Sequence, residues 1–138
     1  MKIQNNTINV QINSLEQQKI NQIIQKLRQI ENRVIAHENA HKAVAGKYAG
    51  AVSYTYTKGP DGKMYVTGGE VPLDTSEEST PEETIAKMEI IQAAALAPSD
   101  PSPQDVRVAQ IAALKKIKAQ IELSQRETSP QSKIDLIV

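Results

Sequence analysis

Two histidines and one glutamate carry most of the chemistry that this sequence can offer. The 138-residue chain holds two His in all. They stand four apart as His37 and His41, with Glu38 directly after the first. On a helix, such a pair lies one turn apart on the same face. Two imidazole nitrogens so placed can converge on one Zn²⁺, each at about 2.0–2.1 Å. Glu38 is turned away from the pair but within reach of a water beside the ion, the position of a general base. Chance would produce this H-E-x-x-H spacing roughly once in a thousand such compositions, far below the false-positive rate of most short motifs.

The motif needs a helix, and the flanking residues supply one. Apolar residues recur at Ile20, Ile23, Leu27, Ile30 and Val34, then at Val44 and Tyr48. These intervals mark the core-facing stripe of an amphipathic helix. His37 and His41 occupy places in that series where further apolar residues are due, so the helix turns them inward. An unpartnered polar group there costs about 1–3 kcal/mol, and a metal ion would satisfy both rings. Ser14 with Gln17 reads as a capped start, and Gly46 and Gly50 mark the end. The spacing thus predicts a helix from about Leu15 to Lys47.

Composition narrows the partners. Sixteen basic and sixteen acidic residues cancel, so no strong field draws the chain to nucleic acid or to a membrane surface. There is no cysteine, which excludes a disulfide framework and thiolate ligands. A bound metal must therefore take His, carboxylate and water. With four Tyr and neither Phe nor Trp, the core has to be aliphatic. The length suits one small domain. No apolar run is long enough for a signal-peptide core or a membrane span, so the cytoplasm is the expected compartment.

The remaining elements follow from local signals. Ile8, Val10 and Ile12 alternate with polar residues, giving residues 1–13 the pattern of a strand or a polar arm. Residues 14–123 form the main domain. Ser53–Thr57 and Lys63–Thr67 flank Gly59-Pro-Asp-Gly62 and read as a β-hairpin. Thr80-Pro-Glu-Glu83 and Ser102-Pro-Gln-Asp105 each open a helix with an N-cap and a proline at its first position. The first of these helices should bury Ile85, Met88, Ile91, Gln92 and Ala95. The second should bury Val106, Ala109, Ala113, Ile117 and Ile121. Pro98 to Pro103 makes the elbow between them. Residues 124–138 form a polar tail in which Ile134, Leu136 and Val138 have the alternation of a terminal strand. The expected class is α+β: a long active-site helix, a small hairpin sheet and two further helices.

A catalytic zinc takes three protein ligands and keeps an open position. Without further His or any Cys, the third must be Asp or Glu. Glu70 follows Gly68-Gly69, where the backbone can approach another element closely. Asp74 lies just beyond it, and Glu82, Glu83 and Glu89 lie on the next helix. Pattern alone leaves Glu70 and the helix carboxylates nearly even. Tyr54 and Tyr56 share one face of a hairpin strand, from which a hydroxyl could donate to the oxyanion of a tetrahedral intermediate. Cross-strand packing is the plainer role for either ring.

The stretch from about Arg33 to Ala109 resembles the bacterial SprA-related family of metalloprotease catalytic domains. The residues that carry the likeness include Ala36-His-Glu-Asn-Ala-His41, Tyr48-Ala-Gly50, Ser53-Tyr-Thr-Tyr56, Gly59-Pro-Asp-Gly62, Gly68-Gly-Glu-Val71, Asp74-Thr75, Ala94-Ala-Leu-Ala-Pro98, Pro101-Ser102 and Gln104-Asp105. Val52 stands where the family pattern has proline, a change at a loop entry that touches no candidate ligand. The resemblance implies zinc-dependent hydrolysis of peptide bonds in a zincin-like fold, with His37 and His41 as ligands and Glu38 as base. It also favours Glu70, because Gly-Gly-Glu belongs to the matching pattern. The expected partner is a peptide or protein substrate, and the long stripe offers a surface for a homodimer. The competing reading is a metal-binding or helical interaction module without turnover.

Overall fold

The computed structural model describes residues 2–128, with side chains from Gln11 onward. Its elements run α1 (Lys2–Ala45), a 3₁₀ turn (Gly46–Tyr48), β1 (Ser53–Lys58), β2 (Met64–Glu70), α2 (Pro81–Ala95) and α3 (Pro103–Glu127). The class is α+β, as expected, with an antiparallel two-stranded sheet. Among the described residues, no helix is long and apolar enough to cross a membrane.

One expectation fails at the start of the chain. The stretch predicted as a strand, with Ile8, Val10 and Ile12, lies inside α1, and Ser14 is an interior residue of that helix. Three alternating residues gain little as a strand without a partner, whereas each residue added to an existing helix gains a hydrogen bond at small entropic cost. The strand expected at Ile134, Leu136 and Val138 lies outside the described residues.

The described chain forms two compact units. The first takes α1 as far as Ala36 together with Ser53–Glu70. Its hairpin pairs Ser53 with Glu70 and Lys58 with Met64, and a register shift between Thr55 and Tyr56 leaves Thr67 as an extra residue on β2. The turn closes through the Gly59 N–H, which donates to the Lys63 carbonyl at 2.8 Å. Gly62 has φ +80°, a conformation in which a side chain is strained. Asp61 braces the turn by accepting the Tyr65 hydroxyl at 2.6 Å and the Lys63 N–H at 3.2 Å. Val66 is buried, and its N–H finds the required acceptor in Glu31 Oε2 of α1 at 2.7 Å.

The second unit runs His37–Val52 and continues from Val71. Both helix starts form as predicted. Thr80 accepts the Glu83 N–H, and Ser102 and Asp105 make a reciprocal capping box, each helix carrying proline in its first turn. Helix α2 buries Thr84, Lys87, Met88, Ile91, Ala94 and Ala95. Met88, Ile91 and Ala112 form the core, with Tyr48, Leu73 and Val108 packed on it.

Helix α3 buries only part of the face predicted for it, Ala109 among the predicted residues. It buries Ala109, Ala112 and Ala119, while Val106, Ile117 and Ile121 stay exposed. Small residues at this contact let the helix backbones come close, so the alanine face packs and the larger aliphatics point outward. Lys87, 1 % exposed, ties the 74–78 loop to α2. Its Nζ lies 2.9 Å from Asp74 Oδ2, 3.0 Å from Glu78 Oε1 and 3.0 Å from Ser76 Oγ.

Candidate metal centre

Helix α1 delivers His37 and His41 to the second unit one turn apart, with their Nε2 atoms 3.2 Å from each other. The rings meet edge-on, their planes 77° apart. Both rings face one carboxylate. His37 Nε2 lies 3.0 Å from Asp105 Oδ2, and His41 Nε2 lies 3.1 Å from Asp105 Oδ1. Among the described residues, His37, His41 and Asp105 are a group whose donor atoms lie close enough together to hold a metal ion.

Each donor is oriented from behind. His41 is 3 % exposed, and its Nδ1 lies 2.8 Å from the carbonyl oxygen of Ala94 in the last turn of α2. A carbonyl only accepts, so Nδ1 carries a proton, which leaves Nε2 as the nitrogen through which this ring could bind a metal. His37 Nδ1 lies 3.3 Å from Asp100 Oδ1. Asp105 is the third residue of α3. Its Oδ2 accepts the Ser102 N–H at 2.9 Å, while the Asp105 N–H donates to Ser102 Oγ at 3.1 Å. The capping box that starts the helix therefore also aims the carboxylate.

Charge is organised around the same atoms. Burial works against protonation of His37, but hydrogen bonds to Asp100 and Asp105 and the charges of Asp105 and Glu38 outweigh it, raising its pKa above the ordinary 6.5. Burial likewise works against the Asp105 anion. The Ser102 N–H, the charge on His41 and the hydrogen bonds from Ser102 and His37 prevail and hold its pKa below the usual 3.8. Glu38 is 4 % exposed, a carboxylate taken almost wholly out of water next to His37.

The donor set fits a small divalent ion. Bonds of about 2.0–2.1 Å in a tetrahedral arrangement imply donor–donor edges of about 3.3–3.4 Å. The two ring nitrogens are 3.2 Å apart, and each faces its own oxygen of Asp105 at 3.0 or 3.1 Å. With one donor atom taken from each residue, all separations stay within 4.8 Å, so a modest shift of the carboxylate brings the three groups to one centre. Two imidazoles and a carboxylate are also the donor chemistry of catalytic zinc.

The other carboxylates weighed from the sequence are not among the residues of this cluster. Glu70 ends β2 opposite Ser53, exposed, in the first unit. Tyr54 and Tyr56 belong to β1 of that unit, facing Gly69 and Val66 in register. Asp74 is engaged by Ser76 and Lys87, which hold its pKa well below the carboxylate range. Glu82 pairs with Arg126, Glu83 accepts from Ser79, and Glu89 pairs with Lys116.

Sequence reasoning missed Asp105 and Asp100 as members of this cluster. Asp105 already had an explanation as the N3 residue of a capping box, and that role is correct. Its membership of Gln104-Asp105, one of the stretches that carry the family likeness, was the available signal. The model of the SprA-related family matches residues 1–136, and the chain belongs to that family. No curated protein and no solved structure matches the chain.

Proposed function

We propose that this SprA-related protein is a zinc-dependent metallopeptidase whose ion is held by His37, His41 and Asp105. One observation carries the reading. His41 commits its Nδ1–H to the Ala94 carbonyl, so its Nε2 faces a second ring nitrogen at 3.2 Å and an anionic carboxylate at 3.1 Å. Once its proton leaves, His37 Nε2 joins His41 Nε2 and the Asp105 carboxylate as three donors turned toward one another, a set that suits a cation. A zinc ion there supplies Lewis acidity, polarising a scissile carbonyl and activating water at neutral pH.

The chain's own groups do the rest. Glu38 follows the first ligand on α1 and is close enough for its charge to raise the His37 pKa. It takes the proton of the attacking water and returns it to the leaving amine, a role worth roughly 10²–10⁴ in rate. Its burial strengthens electrostatic effects by excluding water. Ala94 and Ser102 hold the two flanking donors still, so little reorganisation is required as charge develops. Every residue in this scheme belongs to the second unit.

A second reading has its own support. The cluster joins α1 through both histidines, α2 through Ala94 and α3 through Asp105, as a structural zinc would. Elemental analysis of tag-free protein tests the ion itself, and protein without stoichiometric zinc would sink both readings. Digestion of a broad peptide library separates them. The peptidase cleaves as wild type and fails as Glu38→Gln with its zinc retained, whereas zinc-loaded wild type that cleaves nothing is a structural metalloprotein.

A further inference from the structure

The elbow between α2 and α3 contains more than a turn. Its six residues, Pro98-Ser-Asp-Pro-Ser-Pro103, carry Asp100 against the back of His37 and Ser102 against the back of Asp105. We propose that Asp100 is a positioning residue for the metal centre: its carboxylate takes the Nδ1–H of His37 and so turns the Nε2 lone pair toward the ion. The proposal rests on the metal reading above and extends it to a residue that would not touch the metal.

The ring of His37 lies between two carboxylates, Asp100 Oδ1 at 3.3 Å on Nδ1 and Asp105 Oδ2 at 3.0 Å on Nε2. A neutral imidazole has one N–H, so it can donate to one of them and not to both. With the proton on Nε2, His37 is spent on Asp105 and cannot ligate. With the proton on Nδ1, it donates to Asp100 and Nε2 is available. Asp100 therefore favours the ligating tautomer, the outer-shell arrangement in which a carboxylate fixes a metal-bound histidine.

The backbone prepares Asp100 for this task. Pro101 follows it and disfavours helical conformation at Asp100, while Pro98 and Pro103 restrict the two ends of the elbow. The two imidazoles also differ in how they are held. His41 leans on the Ala94 main-chain carbonyl, which no side-chain substitution removes. His37 leans on a side chain that is 59 % exposed, so Asp100 can be changed without opening a cavity in the core.

Competition of Zn²⁺ between the protein and a chromogenic chelator tests the assignment, using wild type, Asp100→Ala and Asp100→Asn. Asp100→Ala should bind zinc about 10–100-fold more weakly, with the chemical denaturation midpoint of the metal-free protein, measured at alkaline pH where His37 carries no charge, little changed. Asp100→Asn should recover much of the loss, because its amide oxygen still accepts the Nδ1–H. In metal-free protein at alkaline pH, ¹⁵N chemical shifts should report the Nδ1–H tautomer of His37 in wild type and a shift toward Nε2–H in Asp100→Ala. Equal zinc affinity in wild type and Asp100→Ala would overturn the positioning role and leave the metal reading standing. Wild type that binds no zinc would overturn the metal reading itself.

Discussion

His41 Nε2 and His37 Nε2 stand 3.2 Å apart, nearer than two ring nitrogens rest unless a proton or a metal ion lies between them or beside them. The carboxylate that both nitrogens face is Asp105, on an element that begins more than sixty residues further along the chain. That separation makes the ligand assignment testable by substitution.

Asp105→Ala should lower zinc affinity by more than the roughly 10–100-fold loss typical of outer-shell changes, because it removes a donor. Glu70→Ala provides the contrast, since Gly68-Gly-Glu70 made that residue the favoured third ligand in the sequence. Chelator competition on both variants decides between them. Retained affinity in Asp105→Ala with loss in Glu70→Ala would return the third ligand to Glu70.

The metal-free protein should change stability with pH through His37. Its folded pKa lies above 6.5, so the stabilisation from its protonated form is fully present below about 6.5 and is lost as pH rises through the raised value. Asp105 acts with the opposite sign. Its folded pKa lies below 3.8, so its contribution is present above 3.8 and disappears as pH falls through the lower folded value. Denaturation in chelator across a pH series should therefore show a decline on the alkaline side of 6.5. Zinc must displace the His37 proton, so its affinity should climb over that same interval. A flat stability profile there would contradict the assigned environment of His37.

Packing along α3 gives a prediction independent of any metal. Ala112 is fully buried, and Leu114, two residues on, is 66 % exposed. Ala112→Leu should overfill the contact with α2 and cost about 1–3 kcal/mol. Leu114→Ser should stay within about 0.5 kcal/mol of wild type. Paired denaturant titrations measure both, and a larger penalty at Leu114 than at Ala112 would contradict this burial pattern.

These outcomes separate what the sequence could show from what it could not. The inward placement of His41 was legible because a helical stripe is a local property, repeated every three or four residues. The hairpin turn and both proline-led helix starts were legible for the same reason, since each depends on fewer than six consecutive residues. On α3 the burial of Ala109 was legible, but Val106, Ile117 and Ile121 were read as buried for their apolar character, whereas close helix packing selects alanine. Asp105 was visible as a cap and hidden as a neighbour of the two histidines, because only the folded path of the chain brings the α2–α3 elbow beside His37.

Asp105 Oδ2 lies 2.9 Å from the Ser102 N–H and 3.0 Å from His37 Nε2, and this double engagement limits what else the position could hold. Histidine would keep a common zinc donor but give up the acceptor that closes the helix end. Asparagine would keep a capping oxygen but lose the negative charge that balances a divalent ion. Glutamate carries one more methylene, which moves the carboxylate away from one of its two partners. The usual zinc ligands would thus not be interchangeable at this site: the first turn of a helix constrains the residue at 105 as much as the proposed metal would.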